Sequence, residues 1–355
     1  MRVALIGPPF SGKTTLFEAI AAAGGSTVDV SRTDQPHLAV VKVPDERLTW
    51  LSEIYQPKKT VPAEIEFLDM PGIDLADAVA RNRWKTHWTA VRDCDMIVMI
   101  CRAFDNSTVP AYRNRVDASA DAEELQAEML FADLDQVGNR IERLEAQLKK
   151  PANRDATQHE LDLMTRLRDA LENEKPIRDA IRDEAEAKAV RSFAFLSQKN
   201  HLVVVNCGED DLAGQAEPIA GMTTLKLSAQ IEEELAQLDT ADRSEFMADL
   251  GLSASARDRL VRACYEGMDL ISMFTVGPDE CRAWTLDAGT DAVTAAGEIH
   301  SDIARGFIRA ETMAYDDLKA VDGDEKAVKA AGKLRLEGKH YVVADGDIIN
   351  FRFNV

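Results

Sequence analysis

Short, mostly apolar runs recur through the chain: Val3 to Ile6, Ile65 to Leu68, Met96 to Cys101, Leu202 to Val205 and Thr224 to Leu227. A strand buried on both faces of a parallel sheet reads this way, because it has no solvent-facing side to carry alternating polar residues. Helical segments such as Thr14 to Ala23 fall between the runs. The alternation predicts an α/β fold built on a doubly wound parallel sheet.

The pattern breaks between Met96–Cys101 and Leu202–Val205. From Leu125 the chain reads LQAEMLFADLDQVGNRIERLEAQLKK, and Leu134, Val137, Ile141, Leu144 and Leu148 recur at alternating spacings of three and four. That is a heptad seam on a charged helix. Pro151 is expected to stop it, and a second helical run from about Thr157 to Asn173 carries Leu161, Met164, Leu167 and Leu171 on one side. The two predict an antiparallel helical hairpin, either a pair packed within its own domain or an arm for docking. After about residue 272 the texture changes again. Strand-like segments (CRAWTL, KHYVVAD, IINFRFNV) surround one helical stretch from Asp291 to Ile308, with turn signals at Asp287–Gly289 and Asp345–Asp347. Strands around a single helix in so short a span predict a β-grasp module.

A chain of 355 residues with 45% hydrophobic content supports more than one core. Its net charge of −20 opposes a general, sequence-independent grip on nucleic acid, although a local basic face such as Lys333, Arg335, Lys339 and His340 stays compatible with RNA. Sequence-specific DNA binding is not expected. Five cysteines without a C-x-x-C pair suit a reducing compartment. With no signal-peptide pattern and no apolar stretch near the ~20 residues that span a bilayer, the expectation is a cytoplasmic monomer away from membranes.

The chemistry concentrates at three places. Gly7-x4-Gly12-Lys13-Thr14 fits the phosphate-loop pattern, with a strand before it and a helix after it. Glycines there let backbone N–H groups turn toward phosphates at a helix N-terminus. Lys13 is expected on the β and γ phosphates and the Thr14 hydroxyl on Mg²⁺. Pro8 and Pro9 suit positions whose N–H is not needed. Phe10 either covers the phosphates or packs on the domain, the second being the simpler expectation.

The second place is Asp69-Met70-Pro71-Gly72, at the end of an apolar run, where Asp69 would act on Mg²⁺ and the Gly72 N–H near the γ-phosphate. The glutamine that orients water in signalling GTPases is replaced by Ile73, leaving Asp74 and His87 as candidates for that task. The third is Asn206-Cys207-Gly208-Glu209, which lacks the Asn-Lys-x-Asp guanine reader and is therefore compatible with adenine. Ser228-Ala229 sits where a base-backing loop would lie.

With these motifs in this order, and a tail containing RAWTL, IHSDIARGFIRAE and KLRLEGKHYVVADGDIINFRFNV, the chain resembles the YchF family of Obg-related P-loop ATPases. The resemblance implies a nucleotide-binding domain over 1–115 and 195–272, a helical coiled-coil insertion over 116–194 and a TGS domain of β-grasp fold over 273–355. It implies Mg²⁺-dependent ATP binding and hydrolysis, weaker use of GTP, and association with ribosomes. Carried over by residue, Phe10, Ser11, Gly12, Lys13, Thr14 and Thr15 form the phosphate loop, Thr14, Thr33 and Asp69 hold the metal, and Asn206 and Glu209 read the base. Two features depart from the family pattern. Phe10-Ser11 replaces Asn-Val, and the glycine-rich segment after Gly72 gives way to IDLADAVARNRWKTHW, which has no glycine. These departures leave a second expectation, a ribosome-binding module that holds nucleotide with negligible hydrolysis. A small-molecule kinase, suggested by GPP-x-SGK, gives the other motifs no role.

Overall fold

The computed structural model describes residues 1–23, 28–149, 154–212, 216–252 and 254–354. The expected stop at Pro151 lies outside them. In chain order the strands are β1 (Arg2–Ile6), β2 (His37–Lys42), β3 (Lys59–Val61), β4 (Glu64–Asp69), β5 (Met96–Ala103), β6 (Asn200–Cys207), β7 (Thr223–Leu227), β8 (Leu270–Thr275), β9 (Glu280–Asp287), β10 (Phe307–Ala314), β11 (Arg335–Glu337) and β12 (Asp347–Phe353). They form two six-stranded sheets among the described residues.

The chain divides into two compact units, the first comprising Met1–Val40 and Glu66–Arg257. Its sheet runs β2-β4-β1-β5-β6-β7, and the pairs β1–β4, β1–β5, β5–β6 and β6–β7 are parallel. β5 and β6 are buried almost end to end, as their unbroken apolar sequences require. Because β4 and β5 flank β1 on opposite sides, the direction of winding reverses at β1. A crevice opens at the carboxyl ends of strands at such a point.

The hairpin consists of α5 (Ala118–Leu148) and α6 (Arg154–Glu172), following α1 (Lys13–Ala23), α2 (Glu46–Tyr55), α3 (Ala78–Trp84) and α4 (Trp88–Arg92). Asp117 caps α5 by accepting from the Ala120 N–H at 3.0 Å. The seam is as expected: Val137, Ile141 and Leu144 pack with Met164, Leu167 and Leu171. The start of α5 corrects the expected boundary at 116. Ala122, Leu125 and Met129 belong to the core under the parallel sheet, with Trp84, Trp88 and Met99, and the hairpin core begins only at Leu130.

The second unit comprises Val41–Ile65 and Asp258–Val355, with sheet order β11-β10-β12-β8-β9-β3. Val41–Ile65, expected within the nucleotide-binding domain, thus packs here. β3 runs parallel to β9 in the register Lys59↔Glu280 to Val61↔Arg282. α2 adds three anchors: Arg47 donates to Asp345 at 2.7 Å, Trp50 meets Tyr315 edge-on at 5.4 Å, and the Tyr55 hydroxyl donates to Glu325. Two further expectations change. The helix predicted over Asp291–Ile308 is Ala292–Ile299 followed by Ser301–Arg305, because His300 is extended at φ −166° and its Nδ1 accepts from the Asp302 N–H, and Ile308 lies in β10. KHYVVAD is not a named strand but a loop with one isolated antiparallel bridge, Val342 to Asp291, its Tyr341 hydroxyl and Ala344 N–H both donating to Asp347. The basic run is largely neutralised: Lys333 pairs with Asp317 at 2.6 Å, and Arg335 lies 3.5 Å from both Glu337 and Asp347.

Candidate functional site

The turn from β1 into α1 places residues 7–12 in the crevice at the reversal point. Gly7 is required by close approach, since a Cβ there would stand 2.4 Å from the Ile100 carbonyl oxygen. Gly12 is required twice, by φ +82° and by a Cβ position 2.1 Å from Asn206 Nδ2. Around this turn an open cleft of about 1060 Å³ is lined by Phe10 to Thr15, Thr33, Asp69 to Gly72, Phe104, Asn206, Ser228 and Ala229, among others.

Lys13 is 5% exposed, and its ammonium donates to Asp69 and to the Met70 carbonyl. Burial pulls the Lys13 pKa below the usual lysine value, with Asp69 opposing the shift. The Thr14 hydroxyl donates to the other Asp69 oxygen at 3.1 Å. A buried cation, a hydroxyl and a carboxylate thus meet at the N-terminus of α1. The Asp69 segment is held in place by the Met70 N–H on Leu5 O at 3.0 Å, the Ile73 N–H on Gly7 O at 2.9 Å, and Trp84 Nε1 on Pro71 O at 2.9 Å.

Asn206 lines the cleft and is tied to two loops. It is 3% exposed, its Nδ2 donates to the Ser11 carbonyl at 2.9 Å, and its Oδ1 accepts from the Ala229 N–H at 2.9 Å. Its amide fastens the phosphate loop to the Ser228-Ala229 turn. Ser228 lines the cleft and caps the following helix, accepting from the Ile231 N–H at 3.4 Å. Glu209 is exposed on a short helical turn and does not line the cleft.

Phe10 does not pack on the domain. It sits at φ +63° with 57% of its surface exposed, at the rim of the cleft. Thr33 lines the cleft, as does Thr15 beside Thr14. Neither candidate for orienting water lines it: Asp74 closes a local turn by accepting from the Ala76 N–H at 3.0 Å, and the His87 ring lies tilted beside Trp84, 5.6 Å between centres. Sequence reading missed Gln35 and His37, and Phe104, Asp105, Asn106 and Val109 from the loop after β5, all lining residues. That loop was findable, since it follows β5, and loops at the carboxyl ends of parallel strands build such sites.

Thr14 and Asp69 are hard oxygen donors of the kind Mg²⁺ takes alongside phosphate and water. No group of three or more His, Cys, Asp or Glu able to hold a metal exists among the described residues. The donor set therefore fits a metal that arrives with a phosphate ligand.

Comparison with known proteins agrees with this geometry. Residues 2–132 match the family model described as 50S ribosome-binding GTPase, and residues 270–354 match YchF-GTPase_C, described as a protein of unknown function (DUF933). The chain is 39% identical to the ribosome-binding ATPase YchF of Bacillus subtilis, over 99% of this chain and 98% of that protein. It is 33% identical to the Obg-like ATPase 1 of Oryza sativa, covering all of this chain and 92% of that one. Among solved structures, the Schizosaccharomyces pombe YchF GTPase superposes with a TM-score of 0.85 at 29% identity, over 99% of this chain and 97% of that one.

Proposed function

The chain belongs to the YchF family, and on that premise we propose that it binds Mg²⁺-ATP in the cleft around Gly7–Thr15 and hydrolyses it to ADP and phosphate. We further infer that it associates with the ribosome according to the nucleotide held, as a cytoplasmic monomer. No helix among the described residues is long and apolar enough to cross a membrane. The observation carrying the reading is the meeting of Lys13, Thr14 and Asp69 at the mouth of α1.

In this reading Lys13 moves from Asp69 to the β and γ phosphate oxygens, where a buried ammonium forms strong charge-assisted hydrogen bonds. Thr14, Asp69 and Thr33 would hold the metal, which would supply positive charge against the phosphates. The N–H groups of Gly12 to Thr15 and the Gly72 N–H orient the phosphates. Asn206, which lines the cleft, also fastens the loop that meets the phosphates. Adenine, which lacks the N1–H and 2-amino donors of guanine, suits a site whose lining lacks the Glu209 carboxylate. GTP is expected to bind more weakly.

Equilibrium binding of ATP, ADP, GTP and GDP with Mg²⁺, repeated with Lys13→Ala, tests this. Adenine nucleotides are expected to bind tighter, and Lys13→Ala to weaken ATP by roughly 30- to 100-fold, the worth of ~2 to 3 kcal/mol of charge-assisted bonding. Tighter guanine binding, or an indifferent Lys13→Ala, overturns it. Ribosome cosedimentation with a nonhydrolysable ATP analogue against ADP tests the partner.

A second reading has its own observation. Ile73 is 1% exposed, with an apolar side chain where a water-orienting group would stand, and neither Asp74 nor His87 reaches the cleft. A protein that holds nucleotide without turning it over fits those facts. Single-turnover phosphate release, alone and with ribosomes, separates the two: a rate equal to the buffer control in both settings favours holding.

A further inference from the structure

Arg102, near the end of β5, is 5% exposed, and no carboxylate pairs with it among the described residues. A buried charge without a counter-ion costs several kcal/mol unless hydrogen bonds replace its water. Here main-chain carbonyls do so. Nε donates to Phe104 O at 3.0 Å, Nη1 to Val109 O at 3.2 Å and Pro110 O at 3.1 Å, and Nη2 to Asn106 O and Val109 O, both at 3.3 Å. The guanidinium also stacks over the Phe104 ring, 4.4 Å from its centre.

All these acceptors belong to one loop, and that loop is a wall of the cleft. Phe104, Asp105, Asn106 and Val109 line it. Asn106 tightens the loop from within, its Oδ1 accepting from the Thr108 N–H at 2.9 Å. The wall stands on the Asn206 side of the phosphate loop: a Cβ built on Gly12 would meet Asn206 Nδ2 first and then Phe104 Cε1 at 3.7 Å. Gly72, on the Asp69 side, faces Pro9 instead. The Phe104 loop therefore borders the cleft beside Gly12 and Asn206, the residue that fastens the phosphate loop to the Ser228-Ala229 turn.

We propose that Arg102 is a positioning residue for nucleotide binding, gathering the carbonyls of residues 104–110 so that Phe104 and its neighbours form a preformed wall against the nucleoside. A flexible loop would have to be ordered at each binding event, and a fixed one avoids that loss of affinity. The inference rests on reading this cleft as the nucleotide site.

The test measures Mg²⁺-dependent affinity for ATP, ADP and inorganic tripolyphosphate in the full chain and in Arg102→Met and Arg102→Lys. Tripolyphosphate carries the phosphate contacts without a nucleoside. Arg102→Met is expected to weaken ATP and ADP by tenfold or more and to leave tripolyphosphate within twofold. Arg102→Lys is expected to recover only part, because an ammonium cannot reproduce the planar five-donor fork. Should Arg102→Met not fold, Arg102→Lys carries the test, with faster hydrogen exchange expected at the amides of residues 104–109. Equal weakening of ATP and tripolyphosphate, or unchanged affinities with unchanged exchange, overturns the proposal. An indifferent Lys13→Ala measured alongside would instead strike the nucleotide-site reading itself.

Discussion

Phe10 holds φ +63° although it carries a Cβ and a largely exposed ring, so its conformation costs backbone energy that packing does not return. Asparagine tolerates that region better, and Phe10→Asn is expected to raise stability by about 0.5 to 1 kcal/mol in urea unfolding, since little buried surface is lost. Asn206→Ala should do the opposite, leaving the Ser11 carbonyl and the Ala229 N–H unpaired at a cost of about 1 to 3 kcal/mol and weakening ATP. His201 predicts a pH dependence. Burial lowers its pKa from 6.5 to about 4, its Nε2 lying 3.0 Å from Leu196 O, so protonation favours the unfolded chain. Stability from this group is complete above pH 6.5 and falls as pH drops toward 4. The loss reaches about 2 kcal/mol at pH 5, and unfolding of His201→Gln should lack it. Lys13, Thr14 and Asp69 were legible because each sits at a fixed place in a short motif. The clamp by Asn206 was not, since its partner Ser11 lies 195 positions away and only folding brings them together.

Element by element, the clearest signal was periodicity. Short, mostly apolar runs located five strands of the parallel sheet, and the heptad seam and the apolar side of the run after it located both long helices. What misled was local content without its long-range partner. KHYVVAD looks like a strand, yet it makes only a single bridge, Val342 to Asp291, while Asp347 takes the Tyr341 hydroxyl and the Ala344 N–H. β2 went unseen because its exposed Leu38 and Val40 blur the alternation. α5 joins two cores, with Leu125 and Met129 under the sheet and Val137 and Leu144 in the hairpin. Damage to the hairpin should therefore stay local. Met164→Ala is expected to cost about 2 to 5 kcal/mol, visible as faster hydrogen exchange in the hairpin, with ATP affinity within twofold of the parent chain.

At the scale of the whole chain, the sequence marks the C-terminal module by its change of texture but gives no sign that residues 41–65 join it. β3 is only three residues long, and its partner β9 is remote in sequence. A chain ending at residue 272 would strip α2 of Tyr315, Asp345 and Glu325, and β3 of β9, its one strand neighbour among the described residues. That fragment is expected to aggregate, or to melt well below the full chain with weakened ATP binding. An equal Kd and melting point for the fragment would show that this packing is dispensable. The arrangement also sets a clock during synthesis. Lys59 pairs with Glu280, 221 positions later, and at ~5 to 20 residues per second the ribosome takes roughly ten to forty seconds to supply that partner. Through that interval β3 is already made without β9, and Trp50 and Tyr55 wait still longer for Tyr315 and Glu325, so the nascent chain carries an unpaired strand and unpartnered aromatics while the rest of the nucleotide-site unit is being synthesised.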